Sequence, residues 1–251
     1  MRYLTLAIVT GVSLASAASH AWAQGAWPEH RLVFGLSGGV QAGDNDSTYR
    51  VTFPVYDEDG ELVVNQGVKG GGLLDVGAIY RIAGSFGAGV AFTSMGSSDD
   101  ARFVGSVPHP LFFDRPRPID GSEAELDRDE KVVHLQAVWM VPLRERLSVA
   151  LAGGPSFFNV NQELVRGVTF TENPPDFAAV TLESVDVTDA SGWGYGFNFS
   201  ADATYLVSGN LGVGLLLRYT RGSVDLDLVE GETVEVDAGG FQIAGGVRVR
   251  F

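Results

Sequence analysis

The C-terminal segment Gly240–Phe251, GFQIAGGVRVRF, alternates between apolar and polar residues. One face would carry Phe241, Ile243, Gly245, Val247, Val249 and Phe251, and the other Gln242, Ala244, Gly246, Arg248 and Arg250. Successive side chains of a β-strand point to opposite faces, so this period of two predicts a strand with one apolar and one polar face.

The same alternation recurs in eight segments of about ten residues, the length of a tilted strand that crosses a bilayer. These segments are 32–41, 72–82, 85–94, 131–141, 147–158, 192–207, 211–221 and 239–251. The connections between them are short at 83–84, 142–146 and 208–210, and long at 42–71, 95–130, 159–191 and 222–238. Short turns on one side and long loops on the other are typical of a transmembrane β-barrel, with the turns periplasmic and the loops extracellular.

Aromatic residues mark both ends of these segments. Those beside the short turns are Tyr80, Phe86, Trp139, Tyr205 and Phe251. Those near the long connections are Phe92, Phe157, Trp193, Tyr195, Tyr219 and Phe241. A soluble β-sandwich also has alternating strands, but it does not account for two aromatic girdles together with the regular change in loop length. Because lipid offers no hydrogen bonds to a strand edge, the sequence predicts an all-β, closed, antiparallel up-and-down barrel of eight strands.

The first 23 residues have the pattern of a cleaved secretory signal. Arg2 gives a positive start, an apolar run extends from Tyr3 to about Ala18, and Ala21-Trp22-Ala23 forms a small-x-small cleavage site. An N-terminal membrane anchor is the alternative, but the apolar run is short and is interrupted by Thr, Ser and Gly. We therefore expect an exported protein whose residues 24–251 form the barrel domain.

With this signal, the eight up-and-down segments and a last strand that ends in Phe251, the chain resembles the small eight-stranded outer-membrane barrels, the OmpA/OmpX-like family of Gram-negative envelopes. The resemblance implies a place in the cell outer membrane, in contact with outer-membrane lipid and lipopolysaccharide. It also implies that the barrel-assembly machinery reads the last strand during biogenesis, with Phe251 as the assembly signal.

A further hairpin within the first long connection raises the alternative of a ten-stranded barrel. Its arms would be Thr48–Tyr56 and Glu61–Gln66, joined by Asp57-Glu58-Asp59-Gly60. The second arm is shorter than a bilayer-crossing strand and Pro54 interrupts the first, so we expect an extension of the loop outside the membrane.

The composition excludes several functions. A net charge of −14 provides no basic surplus to neutralise phosphates, so no nucleic-acid partner is expected. The absence of Cys excludes disulfides, thiolate metal sites and Cys nucleophiles, and the sequence indicates neither a metal site nor a cofactor. A lipid-modifying barrel enzyme is a third candidate function, after a structural or surface-interaction role and a narrow channel. A lipid A deacylase of this shape carries a His-x-Ser pair, which His134-Leu135-Gln136 lacks. We therefore expect no enzymatic activity.

The polar face of the predicted strands would line the barrel interior. An eight-stranded barrel is only wide enough for its own side chains to fill, or for one small ligand. The predicted inward-facing polar residues are Asp75, Arg81, His134, Gln136, Asn198, Asp202, Arg218, Arg248 and Arg250. Because buried charges need partners, we expect Asp75 and Asp202 to pair with some of the four arginines as an internal plug. The alternative is that the surplus of arginine lines a narrow anion path.

One glycine-rich segment, Gly192-Trp193-Gly194-Tyr195-Gly196, superficially resembles a phosphate-binding loop. No helix follows it and no Lys-Ser/Thr completes it, so small residues on a crowded lumen face are the preferred interpretation.

The long connections hold 27 of the 31 acidic residues. They could bind divalent cations, repel anionic surfaces or steer a basic partner, or simply keep a solvated exterior. The second connection also carries the apolar, proline-rich stretch 107–118, which would either contact an extracellular partner or fold back over the barrel mouth. The expected function is a structural or surface-interaction role, namely envelope integrity, loop-mediated adhesion or shielding. A narrow, low-conductance channel for small ions or solutes is the alternative.

Overall fold

The structure, a computed structural model, describes residues 30–227 and 233–251, and these residues form nine β-strands. The strands are β1 (Leu32–Val55), β2 (Glu58–Ala83), β3 (Phe86–Val107), β4 (Arg117–Arg144), β5 (Leu147–Glu172), β6 (Val180–Leu206), β7 (Leu211–Asp227), β8 (Thr233–Ala238) and β9 (Phe241–Arg250). Within the described ranges, no helix is long and apolar enough to cross a membrane. The predicted signal segment, residues 1–23, lies outside the described residues.

The strands close into a ring of eight. Each strand from β1 to β7 pairs antiparallel with the next, and β9 pairs with β7 on one side and β1 on the other. The short strand β8 continues the line of β9 along the far part of β7, where Gly222 faces Ala238. Thus β8 and β9 are two pieces of one strand, and the predicted eight-stranded barrel is confirmed. The ten-stranded alternative does not occur.

The break between β8 and β9 depends on a glycine. Gly239 has φ +94°, a conformation that residues with a Cβ rarely adopt. A Cβ at this position would lie 2.6 Å from the carbonyl oxygen of Thr220. The interruption between β8 and β9 therefore has a steric cause.

The strands extend far beyond the predicted boundaries. Most of the segments 42–71, 95–130 and 159–191, which were expected to be loops, belong to strands of 22 to 28 residues. The predicted hairpin arms are the far ends of β1 and β2, which pair as far as Val55 and Glu58. Their turn is Tyr56-Asp57 rather than 57–60, and Tyr56 has φ +58°. Tight pairing therefore continues well past the length that a bilayer requires.

The half of the barrel beside the short turns has an apolar outer surface. We call it the membrane half, made of residues 32–42, 72–83, 86–94, 133–144, 147–157, 193–206, 211–219 and 241–251. Its exposed outward residues include Phe34, Leu36, Val76, Tyr80, Val90, Leu135, Trp139, Leu151, Phe197, Leu215, Ile243 and Val247. An apolar band around a closed barrel, with aromatic residues at its edges, matches the hydrocarbon layer of a bilayer.

The other half reverses this pattern. We call it the extension, made of residues 46–66, 97–107, 117–131, 158–172, 180–192, 220–227 and 233–240. Its interior is an apolar core with members such as Val51, Leu62, Val64, Phe103, Ile119, Leu164, Val224 and Val236. Its outward residues are mostly polar or charged, for example Arg50, Asn65, Asp100, Asp127, Asn161, Asp225 and Glu235. The extension therefore has the apolar interior and polar exterior of a water-soluble domain. Among the described residues it is not a closed barrel, because pairing between β4 and β5 ends at Arg128–Gln162, pairing between β6 and β7 ends at Gly194–Val224, and pairing of β1 with β9 ends at Ala42–Phe241.

The core of the extension can be tested with two neighbouring residues of β3. Phe103 is 1% exposed inside the core, whereas Val104 is 58% exposed on the outer face. We expect Phe103→Ala to destabilise the extension by about 3–5 kcal/mol, because it removes a buried ring and leaves a cavity. Val104→Ala should change the stability little.

Limited proteolysis of the two variants in lipid vesicles makes the comparison. Phe103→Ala should be cleaved in the extension while the membrane half stays protected, and Val104→Ala should resist like the wild type. Equal resistance of both variants would show that the extension lacks the packed core described here.

Candidate functional site

The inward polar side chains of the membrane half converge because of the strand register. Asp75 of β2 lies opposite Thr93 of β3, and Arg218 of β7 lies opposite Gln242 of β9. Side chains that face each other on one side of neighbouring strands lie close enough to interact. The ring therefore brings polar groups from different strands to similar levels of the interior.

A buried ion pair lies at the centre of this region. The Arg218 Nη1 atom lies 2.5 Å from Asp75 Oδ2 and donates to Thr93 Oγ1 at 2.8 Å. The Thr93 hydroxyl in turn donates to Asp75 Oδ2 at 2.8 Å. Both charged side chains are almost fully buried. Because β2 and β7 are not neighbours in the ring, the pair spans the lumen.

The hydrogen bonds continue from this pair toward β6. Thr93 Oγ1 lies 3.2 Å from His134 Nε2, and His134 Nδ1 lies 2.8 Å from Ser156 Oγ. The Asn198 amide donates to Ser156 Oγ at 2.9 Å, and Gln136 Nε2 donates to Asn198 Oδ1 at 2.7 Å. Buried polar groups need partners of this kind, and here each side chain finds them on other strands.

In the opposite direction the chain of contacts reaches β1. Arg218 Nη1 donates to Gln242 Oε1 at 3.4 Å, and Gln242 Nε2 donates to Gln41 Oε1 at 2.7 Å. The network thus takes at least one side chain from every strand of the ring: Gln41, Asp75, Thr93, His134, Ser156, Asn198, Arg218 and Gln242. We call it the eight-strand network.

A second ion pair lies closer to the short turns. Arg248 Nε lies 2.7 Å from Asp202 Oδ2, and Arg248 Nη1 donates to Ser37 Oγ at 2.8 Å. Arg250 Nη2 donates to Ser148 Oγ at 2.6 Å. Arg81, the remaining predicted lumen residue, is half-buried near the same end. The structure therefore brings Asp75 to Arg218 and Asp202 to Arg248.

Six residues of these networks were not among the predicted lumen residues. They are Ser37, Gln41, Thr93, Ser148, Ser156 and Gln242. All are uncharged, and each lies on the inward side of its strand. Continuing the period of two from the outward apolar residues of each strand would have placed them in the interior.

A layer of charged residues separates the lumen from the core of the extension. Arg128, fully buried on β4, donates to the Gln162 amide oxygen and, at 2.9 Å, to the carbonyl oxygen of Asp237. Glu130 Oε1 accepts a hydrogen bond from the Gly239 N–H at 2.9 Å. The layer therefore ties β4 to the break between β8 and β9 on the far side of the barrel.

Asp99 belongs to the same layer on β3. Its Oδ1 accepts a hydrogen bond from the backbone N–H of Lys69 at 3.0 Å. Burial raises the pKa of Asp99 above its usual range, and the nearby charges of Arg128 and Lys69 oppose that rise. Desolvation thus outweighs these attractive charges.

The far end of the barrel is covered by the β3–β4 connection. Arg117 donates to the carbonyl oxygen of Pro108 and forms an ion pair with Glu172. The ring of His109 packs against those of Phe112 and Phe177. The base of this proline-rich loop therefore caps the mouth, while Leu111, Phe112 and Phe113 at its tip stay exposed.

The last residue closes the seam next to β1. The backbone N–H of Phe251 donates to the carbonyl oxygen of Leu32 at 2.8 Å, and its side chain packs edge-on against Phe34 with ring centroids 6.0 Å apart. Its ring lies on the outer surface, beside the short turns. An assembly factor that binds the last strand could reach it there, and the role of Phe251 as assembly signal stays a prediction.

The contact between Ser156 and His134 has the residue types of a nucleophile and a general base. Both side chains are fully buried inside the wall of eight strands. Within the described part of the chain, no group of three or more His, Asp or Glu side chains could hold a metal ion. The arrangement is suited to satisfying hydrogen bonds in a closed interior.

The closed ring, the apolar outer band and the polar interior define an outer-membrane β-barrel, because only a closed barrel lets strands satisfy their backbones in lipid. Neither a protein-family model nor a curated protein matches the chain.

Among solved structures, the chain is similar to the outer membrane protein OprG from Pseudomonas aeruginosa, with 10% identity, a TM-score of 0.48, and coverage of 89% of this chain and 97% of OprG. It is also similar to Neisserial surface protein A, with 14% identity, a TM-score of 0.43, and coverage of 88% and 96%. A third similar structure is the outer membrane protease OmpT from Escherichia coli, with 8% identity, a TM-score of 0.46, and coverage of 91% and 99%.

The central ion pair leads to a prediction about stability. Asp75→Asn leaves the buried Arg218 without its counter-charge, which should lower the free energy of unfolding by about 3–5 kcal/mol. The double variant Asp75→Asn/Arg218→Gln removes both charges and should lose less than the sum of the single variants.

Urea-dependent unfolding from lipid vesicles measures these differences. Asp120→Asn, on the exposed outer face of the extension, is the matched control and should keep the wild-type midpoint. If Asp75→Asn also kept that midpoint, the ion pair would have no part in holding the interior together.

Proposed function

We propose that this chain is a sealed outer-membrane barrel with a structural and surface-directed role, in which the membrane half anchors a rigid acidic extension outside the cell. The observation that carries the proposal is the eight-strand network, which fills the lumen of the membrane half with mutually bonded side chains. Envelope integrity, shielding of the surface and adhesion through the extension are the roles that such an object can serve.

The first observation in support is that opening the network would cost free energy. A water or ion path at this level would have to displace hydrogen-bonded groups, including the Asp75–Arg218 pair. Breaking a buried pair leaves an uncompensated charge in a place of low dielectric constant. The lumen is therefore better suited to a plug than to a pore.

The second support is the apolar core above the network. Leu62, Val64, Phe103 and Leu164 are fully or almost fully buried inside the extension. An ion that passed through them would lose its hydration without gaining polar partners. An ion moving along the barrel axis would therefore meet two barriers, the eight-strand network and the apolar core of the extension.

The outer face supports a role at the cell surface. Acidic side chains such as Asp100, Asp127, Asp225 and Glu235 point away from the extension. A rigid wall of this charge repels anionic surfaces and attracts basic ones. The exposed tip Leu111-Phe112-Phe113 adds an apolar contact surface at the end farthest from the membrane.

A narrow channel is the second candidate function. The observation in its favour is the surplus of arginine in the lumen, since Arg250, which donates to Ser148 Oγ, accompanies the two arginine–aspartate pairs. Such a surplus would favour anions over cations.

Single-channel recording in planar bilayers separates the two candidates. The wild-type protein should give no reproducible conductance steps, provided that heat-modifiable mobility shows it to be folded and inserted. Small reproducible steps whose size changes with Arg218→Ser or Asp202→Asn would contradict the sealed barrel and support the channel.

A further inference from the structure

The glycine-rich segment 192–196 of β6 has an unusual arrangement at the edge of the membrane half. A Cβ on Gly192, Gly194 or Gly196 would lie 2.0 Å from a carbonyl oxygen of β7. These positions therefore accept glycine alone, and the two aromatic residues between them point outward. Trp193 is 75% exposed and Tyr195 is 80% exposed.

The two aromatic side chains form a cleft with the neighbouring strands. The pairing register aligns Val133 of β4, Phe157 of β5 and Tyr195 of β6 across the outer face. Together with Trp193 and Gly194 they line a shallow, open cleft of about 520 Å³. The cleft lies at the end of the apolar band away from the short turns, where the hydrocarbon layer gives way to lipid head groups.

A lysine lies directly above this cleft. The next row of the same register aligns Lys131, Asn159 and Trp193. Lys131 is exposed and has no ion pair among the described residues, whereas the other lysine, Lys69, pairs with Asp100. An ammonium group without a counter-charge therefore stands at the polar edge of an apolar, aromatic cleft.

We propose that this cleft binds a phosphorylated lipid of the outer leaflet, with an acyl chain against Phe157, Trp193 and Tyr195 and a phosphate on the Lys131 ammonium. The indole and phenol rings combine apolar faces with polar edges, which suits the level of the head groups. Basic groups at this level attract lipid phosphates.

Neighbouring charges restrict where the phosphate lies. Asp129 and Asp189 are exposed on the same outer face, farther from the membrane than Lys131 and Trp193. Their carboxylates repel an anion that moves outward. The favourable position for a phosphate is therefore the row of Lys131, directly over the cleft.

The two lysines allow a direct test, since the sequence contains no others. Reductive methylation with ¹³C-formaldehyde gives each lysine an NMR signal. The signals are assigned by their loss in the variants Lys69→Gln and Lys131→Gln. The protein, refolded in maltoside micelles that contain no phosphate, is titrated with lipid A. The Lys131 signal should shift as lipid A is added, until the site is saturated. The signal of the ion-paired Lys69 is the matched internal control and should keep its position.

Two further probes separate the contributions of phosphate and acyl chain. Inorganic phosphate and dephosphorylated lipid A should each shift the Lys131 signal far less than lipid A does. Trp193→Ala should weaken the apparent affinity about tenfold through the lost aromatic contact. Trp139→Ala, at the opposite edge of the band, should leave the affinity unchanged.

Any of three results would overturn the proposal. Equal shifts at Lys69 and Lys131 would mean non-specific attraction to the surface. If inorganic phosphate shifted the Lys131 signal as much as lipid A does, the cleft would take no part in binding. If dephosphorylated lipid A shifted it as much, the Lys131 ammonium group would take no part. The conductance recordings do not bear on this site, so the two proposals fail independently.

Discussion

The pairing of backbone groups in strands that have no water beside them governs the architecture of this protein. In lipid every N–H and C=O must bond to a neighbouring strand, so the sheet closes on itself and leaves no edge. Closure creates one outer and one inner surface, and the alternation of side chains assigns each residue to one of them. The membrane then decides the polarity of the outer surface, and the narrow lumen decides that of the inner one.

This constraint explains why the pattern reverses along each strand. In β1 the outward residues are Phe34 and Leu36 in the membrane half but Thr48 and Arg50 in the extension. β1 stays paired with β2 on both sides of the boundary, apart from a bulge between Gln41 and Asp44, while the surroundings change from lipid to water. The interior changes from polar to apolar, from the eight-strand network in the membrane half to the apolar core in the extension. Arg128 and Glu130 lie at the level where the two interiors meet.

The alternation predicted the ring and its membrane half because ten-residue apolar faces are specific to a lipid-facing strand. In the extension it predicted only the hairpin arms 48–56 and 61–66, and it missed the other strands, whose outward faces are as polar as loops. Bulges in the pairing, between Glu123 and Leu126 of β4 and between Val165 and Gly167 of β5, also break the period. The inward side of Asp75 and Arg218 could be deduced locally. Their pairing could not, because it depends on the stagger of two strands that are not neighbours in the ring.

Each long strand crosses from lipid into water and keeps one inward and one outward face. Because the chain has no Cys, single-cysteine variants along β1 can carry one spin label each. Oxygen, which concentrates in lipid, should reach spin labels at the even-numbered positions 34–40. A water-soluble nickel chelate should reach labels at the even-numbered positions 46–52. Neither reagent should reach labels at the odd-numbered positions 47–51. Uniform access of the nickel chelate to every position from 46 to 52 would show a mobile loop and contradict the account.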